Sequence, residues 1–188
     1  IPLKLNGLEA WSVGERLLDA LCSGETIEEF RAIETAKGSL PPASFGDVAI
    51  GGIETLACNV LDRATTLGVA DLEQASTPID IVLPSGRRIV GFTEIVRGPT
   101  HVGPVTLGVG KLKPKRVLRA WLDLLVLTAC HPTEPWAALL IGRSDKKNDD
   151  AVDQRLSLRV NDELVSGQTA EAALEVLVDL YQRSLGEP

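Results

Sequence analysis

The chain has 188 residues, 44% of them hydrophobic, which is enough for one sizeable core and a helical appendage. Its formal charge of −7 excludes a protein that grips nucleic acid with its whole surface, because phosphate binding needs clustered Lys and Arg. Cys22, Cys58 and Cys130 show no close spacing, so they form neither a disulfide framework nor a CxxC metal site, and the reading is a cytoplasmic protein.

No apolar run approaches the roughly 20 residues that a membrane helix needs. The start, IPLKLNGLEAW, lacks a charged-then-apolar signal layout, so the chain reads as soluble and untargeted. There is no Met even at position 1, which suggests a segment cut from a longer polypeptide.

In chain order, Ser12-x-x-Glu15 and Thr26-x-x-Glu29 match the capping box, in which hydroxyl and carboxylate each satisfy a free backbone N–H. Two short helices are expected there, the first with Val13, Leu17, Leu18 and Leu21 on one face. Lys37 to Asp47, KGSLPPASFGD, is a loop, since Gly38, Pro41, Pro42 and Gly46 oppose regular structure. Asp47 is placed to cap a helix running to about Leu67, with Ile50, Ile53, Leu56, Ala57, Val60 and Leu61 toward the core.

The period then changes. Ile79 to Leu83 and Arg88 to Val96 flank Pro84-Ser85-Gly86, a hairpin pattern. A third strand is expected from about Val102 to Val109, entered through Gly98, Pro99, Gly103 and Pro104. Pro114 suits the first turn of a helix that carries Val117, Leu118, Trp121, Leu122, Leu124 and Leu125, with Arg116, Arg119 and Asp123 as its polar stripe. Trp136 to Ile141 and Arg155 to Val160 read as strands, Ser144 to Gln154 as a solvated loop. The last amphipathic helix uses Ala170, Ala173, Leu174, Leu177, Leu180 and Tyr181, with Thr169 as its cap. Trp11, Trp121 and Trp136 are spaced as core anchors rather than as a base-stacking platform.

This order predicts an α/β (α+β) fold: a mixed central sheet flanked by helices, built on an αβββαβ core. Residues 1–46 form a small N-terminal helical annex with the Leu-Pro-Pro loop, and residues 47–188 the core with its C-terminal strand and helix. The αβββαβ order is that of the restriction-endonuclease-like, or PD-(D/E)xK, nucleases, an analogy that does not fix chemistry.

Charge is uneven along the chain. From Arg87 to Arg119 the basic residues are Arg87, Arg88, Arg97, Lys111, Lys113, Lys115, Arg116 and Arg119, opposed by Glu94 alone; eight minus one gives +7, and −7 minus +7 leaves −14 elsewhere. Lys111, Lys113, Lys115, Arg116 and Arg119 are the candidate nucleic-acid-binding residues. A basic helix start is more often simply a solvated helix end.

The runs NGLEAWSVGERLLDALCSG, KGSLPPASFGD, GFTEIV and GKLKPKRVLRAWLDLL resemble, in this order and with compatible spacing, the C-terminal region of the RecC family, the gamma subunit of exodeoxyribonuclease V. The resemblance covers Leu5 to about Leu127 and resumes in the helix from Thr169. It implies a RecBCD-type helicase-nuclease that processes double-strand breaks, with beta and alpha subunits and, in the assembled complex, DNA as partners. In that family the gamma subunit splits and channels DNA and scans for Chi, and this region looks like a nuclease fold without a working active site. The isolated domain is expected to be monomeric.

The residues test the last implication. Hydrolysis of a phosphodiester in this class needs an acid from the second strand and a D/E-x-K from the third, the acids holding Mg²⁺ and the Lys orienting water. Glu94 falls on the second strand, where it also reads as a salt-bridged strand residue. Thr106 and Gly108 occupy the third-strand positions, and Trp121 the helix position where the class has Gln. Val102 to Gly110 contains no acid, amide or Lys. No catalytic residue, metal ligand or cofactor site is therefore assigned. Asp145, Asp149, Asp150 and Asp153 lack the calcium-loop spacing, and His101 and His131 read as structural. Two other readings stand beside the non-catalytic one: a divergent active PD-(D/E)xK nuclease with displaced acids, and a free-standing interaction module.

Overall fold

The computed structural model describes residues 6–40, 44–144, 151–160 and 163–186, with the side chains of 44–49 and 160 left out of the description. The fold is α+β: helices α1 (Gly7–Cys22), α2 (Ile27–Ala36), α3 (Ser44–Thr66), α4 (Pro114–Cys130) and α5 (Gly167–Gly186) combine with short sheets. The strands are β1 (Gln74–Val82), β2 (Arg88–Arg97), β3 (Val102–Gly103), β4 (Val105–Lys111), β5 (Ala138–Arg143), β6 (Ala151–Leu156), β7 (Arg159–Val160) and β8 (Glu163–Leu164). They form sheets in the orders β1-β2-β3, β4-β5-β6 and β7-β8. From α3 to β5 the sequence of elements is the expected helix, strands, helix, strand.

Two compact units share these elements, one comprising 1–71, 107–112 and 141–153, the other 72–106, 113–140 and 154–188. In the first, α1 starts earlier than Ser12. Asn6 is its cap, accepting from the N–H groups of Leu8 and Glu9, while the Glu9 carboxylate accepts from the Asn6 N–H at 2.9 Å. Ser12 instead sits inside the helix and accepts from Arg16 at 2.9 Å. Thr26 and Glu29 cap α2 as their spacing requires. Glu34 is buried between Arg16 at 2.5 Å and Lys37 at 3.1 Å. Burial would raise its pKa, and the two cations reverse that, holding the carboxyl below the usual Glu range. Helix α3 begins at Ser44, so Asp47 lies within it rather than at its cap; the Asp47 side chain is outside the described residues. Ile50, Leu56, Ala57, Val60 and Ala64 are buried along α3, with Ile53 and Leu61 half-buried. Helix α1 packs on it through a small residue: a Cβ on Gly14 would lie 3.1 Å from Ile53.

The second unit is organised by the β1–β2 hairpin. Its two strands pair antiparallel from Gln74↔Val96 to Val82↔Arg88. The turn closes with Leu83 N–H to Arg87 C=O at 2.7 Å and Gly86 N–H to Leu83 C=O at 2.8 Å, with Gly86 in the left-handed region that glycine tolerates. Ile79, Ile81, Leu83 and Ile95 point to the buried face. Helix α4 lies along β1 and packs against α5.

The expected third strand is broken in two. Its first residues, β3, pair with β2 at Val96↔Gly103 and Arg97↔Val102; after Pro104 the chain resumes as β4, in the sheet of β5. Val102 and Pro104 carbonyls accept from Ala137 and Leu139 N–H at 3.0 and 2.9 Å, rungs that step in the same direction along both segments, as in parallel pairing.

Three further expectations are corrected. Residues 151–156 are strand β6 rather than part of a loop, and 145–150 lie outside the described residues. Ser166, whose hydroxyl accepts from the Thr169 N–H at 3.2 Å, caps α5, placing Thr169 one turn inside. Of the tryptophans, only Trp136 is fully buried, at 3% exposure, its indole N–H donating to the His131 carbonyl at 2.9 Å; Trp121 is half-buried and Trp11 is 45% exposed. Trp136→Ala should therefore lower unfolding free energy by about 3–5 kcal/mol in urea titration, whereas Trp11→Ala should change it by no more than about 0.5 kcal/mol.

Candidate nucleic-acid interface

The basic stretch begins where a strand ends and a helix starts. Lys111 is the last residue of β4 and is exposed. Lys113 is the N-cap of α4, with extended backbone and no side-chain cap bond, and Pro114 follows at the first helical position. Proline fits there because its missing N–H would have no helical partner anyway. Lys115 and Arg119 are exposed and Arg116 half-buried. The first turn of α4 holds no acid.

Placing cations there is electrostatically unfavourable, since the N-terminus of a helix carries the positive end of its dipole. Each misplaced charge costs about 0.3–1 kcal/mol at low ionic strength. Few backbone donors remain beside these cations, since Pro114 has no N–H and the Arg116 N–H donates to the Lys113 carbonyl at 2.9 Å.

The other basic residues of the +7 segment are engaged elsewhere. Arg87, at the hairpin turn, reaches α5, where it meets Glu175 at 2.5 Å, Asp179, and Gln182 at 2.9 Å. Arg88 pairs with Asp80 across the hairpin at 2.5 Å. Arg97 pairs with Glu134 at 3.1 Å and lies over the Trp136 ring, 5.4 Å from its centroid. These arginines staple the second unit. Lys113 and Lys115 show no such pairing to a carboxylate among the described residues.

Asp123 completes the polar stripe of α4 and is half-buried. Burial raises its pKa, and the nearby Arg119 only partly offsets the shift. Leu118, read as part of the apolar face, is exposed, while Ala120, Leu124, Leu125, Leu127 and Thr128 form the buried one.

The positions that a nuclease of this topology would use are distributed as follows. Glu94 is exposed on β2, opposite Ser76 in register. Thr106 is exposed on β4 and Gly108 is buried on it. Neither offers a carboxylate or an amine. Among the described residues, no group of three or more His, Cys, Asp or Glu is arranged to hold a metal ion. His101 is buried, and burial, then the charge of Arg155, pushes its imidazole below the ordinary range.

Because the folded state raises the pKa of Asp123, ionisation destabilises the fold as pH climbs from the ordinary Asp value through the raised one. Asp123→Asn should thus increase thermal stability at neutral pH, and the gain should vanish below about pH 4, the ordinary Asp range; melting curves across pH check this.

The whole chain, residues 1–188, matches the family model described as the RecC C-terminal domain. Among curated proteins, "RecBCD enzyme subunit RecC" from two strains of Mycobacterium tuberculosis is 33% identical over 189 residues, covering 100% of this chain and 16% of the relative. The protein of that description from Mycolicibacterium smegmatis is 33% identical over 143 residues, 76% of this chain and 13% of the relative. The chain thus spans 16% or less of the length of these relatives.

Proposed function

Because the chain belongs to the RecC C-terminal domain family, we propose that it serves as a non-catalytic structural and DNA-channel domain of a RecC-type subunit. Its place is in a RecBCD-type helicase-nuclease, beside beta and alpha subunits, in double-strand break repair by homologous recombination. The fold is read as a PD-(D/E)xK core that has lost its active site. The observation that carries this reading is the chemistry of the strand across β3 and β4. From Val102 to Gly110 it supplies no acid, amide or amine, so the metal and water of phosphodiester hydrolysis have no ligand set.

DNA is met at the N-terminus of α4. Lys113, Lys115, Arg116 and Arg119 contact phosphates without reading sequence, and Lys111 adds charge at the preceding strand end. The rest of the chain carries −14 and repels phosphate, which confines contact to this segment. The isolated chain should accordingly bind DNA poorly at physiological salt.

The test replaces Lys113, Lys115, Arg116 and Arg119 with Glu in an assembled RecBCD-type complex and compares slopes of log affinity against log salt. Each lost phosphate contact should flatten the slope by about 0.9 for duplex DNA. An unchanged slope accompanied by failed assembly would make this patch a protein interface instead.

A further inference from the structure

Helix α4 carries a single acid. From Pro114 to Cys130 the only Asp or Glu is Asp123, seven residues after Arg116 and four after Arg119, so the three share one helix face. Asp123 is the inner member of that stripe. It is half-buried beside the buried Leu124, Leu125 and Leu127, whereas Lys115 and Arg119 are exposed.

Among the described residues, the Asp123 carboxylate has no hydrogen bond or close ion pair. The charge of Arg119, one turn back, favours its ionised form, but less than burial disfavours it. An uncharged side chain of the same shape would spare the fold that penalty. The carboxylate therefore stabilises nothing that an amide would not.

Its charge does act on the basic stripe, and distance decides where. Along the helix axis Asp123 lies about 6 Å from Arg119, about 10 Å from Arg116 and at least about 12 Å from Lys115 and Lys113, at 1.5 Å per residue. Screening at 0.1 M salt has a length of about 10 Å, so the effect falls mainly on Arg119. There the carboxylate competes with phosphate for the same guanidinium.

On the reading of α4 as the DNA contact, we propose that Asp123 is a positioning residue: it draws Arg119 back along the helix and limits how tightly the stripe holds phosphate. A channel through which DNA passes needs contacts that release. A carboxylate one turn behind an exposed arginine supplies such a contact at a cost in stability, as functional positions commonly do.

The test measures affinity for linear duplex DNA against salt in an assembled RecBCD-type complex, comparing the parent, Asp123→Asn, Asp123→Glu, Arg119→Ala and the Arg119→Ala, Asp123→Asn double variant. Asp123→Asn should bind about two- to threefold more tightly at low ionic strength, the size expected of one charge at roughly 6–10 Å in a water-like dielectric. That gain should shrink as salt rises. Asp123→Glu, which keeps the charge, should stay near the parent. In the Arg119→Ala background most of the gain should disappear, because the group that it frees is gone.

A merely structural Asp123 would raise the melting temperature on replacement by Asn without moving affinity, and that result overturns the proposal. Tighter binding that persists undiminished at high salt, or an equal gain in the Arg119→Ala background, also overturns it. If Glu at Lys113, Lys115, Arg116 and Arg119 together leaves the salt slope unchanged, the DNA-contact reading fails and takes this inference with it. If those replacements flatten the slope while Asp123→Asn changes nothing, only the role of Asp123 falls.

Discussion

The strand arrangement of the second unit turns on the backbone contact at Gly103. Its φ of +141° is one that side chains rarely adopt, and a Cβ there would lie 2.1 Å from the carbonyl oxygen of Ala137. Only glycine lets the two backbones come close enough for Val102 to accept the Ala137 N–H. Pro104 follows at once and has no N–H to give a ladder. The chain therefore leaves β2 after pairing with its last two residues and takes β5 as its partner, which keeps the outer edge of β2 open from Arg88 to Glu94. One close approach thus decides where the expected central sheet divides.

Charge follows a comparable division of labour. The arginines early in the basic segment are consumed by folding: Arg87 ties the hairpin turn to α5, Arg88 spans the hairpin, and Arg97 bridges to Glu134 and Trp136. Surface pairs of this kind are individually weak, but Arg87 gathers two carboxylates and an amide about one guanidinium, a geometry better than a single exposed pair. At the start of α4, by contrast, cations and helix dipole have the same sign. A helix capped for stability alone would carry Ser, Thr, Asp or Asn before Pro114. This one carries Lys113.

Much of this was legible in the sequence. The hairpin declared itself through Pro84-Ser85-Gly86 between β-branched runs, α4 through Pro114, α2 through Thr26 and Glu29, and the RecC resemblance through blocks that run along most of the chain. The misses have physical causes. Asn6-x-x-Glu9 is as good a capping box as Ser12-x-x-Glu15, and the two compete until Val13 and Leu17 are placed in one continuous helix. Ser166 and Thr169 both suit a cap, and which of them donates the hydroxyl depends on where the backbone turns. The break at Pro104 is visible as a proline, but not which strand each half will join. Net charge over a segment cannot reveal that Arg87 finds its partners about ninety residues away, at Glu175 and Asp179. The open edge of β2 is invisible for the same reason, being defined by the partner that β3 fails to supply.

From Val102 to Gly110 the strand supplies no acid, amide or Lys to a hydrolytic metal site. The most direct measurement incubates the purified chain with end-labelled linear duplex and single-stranded DNA in Mg²⁺ or Mn²⁺ and follows strand scission. Intact DNA is expected with either metal. Cleavage that requires the metal and disappears in Glu94→Ala would contradict it, showing that Glu94 works with acids supplied from outside this strand.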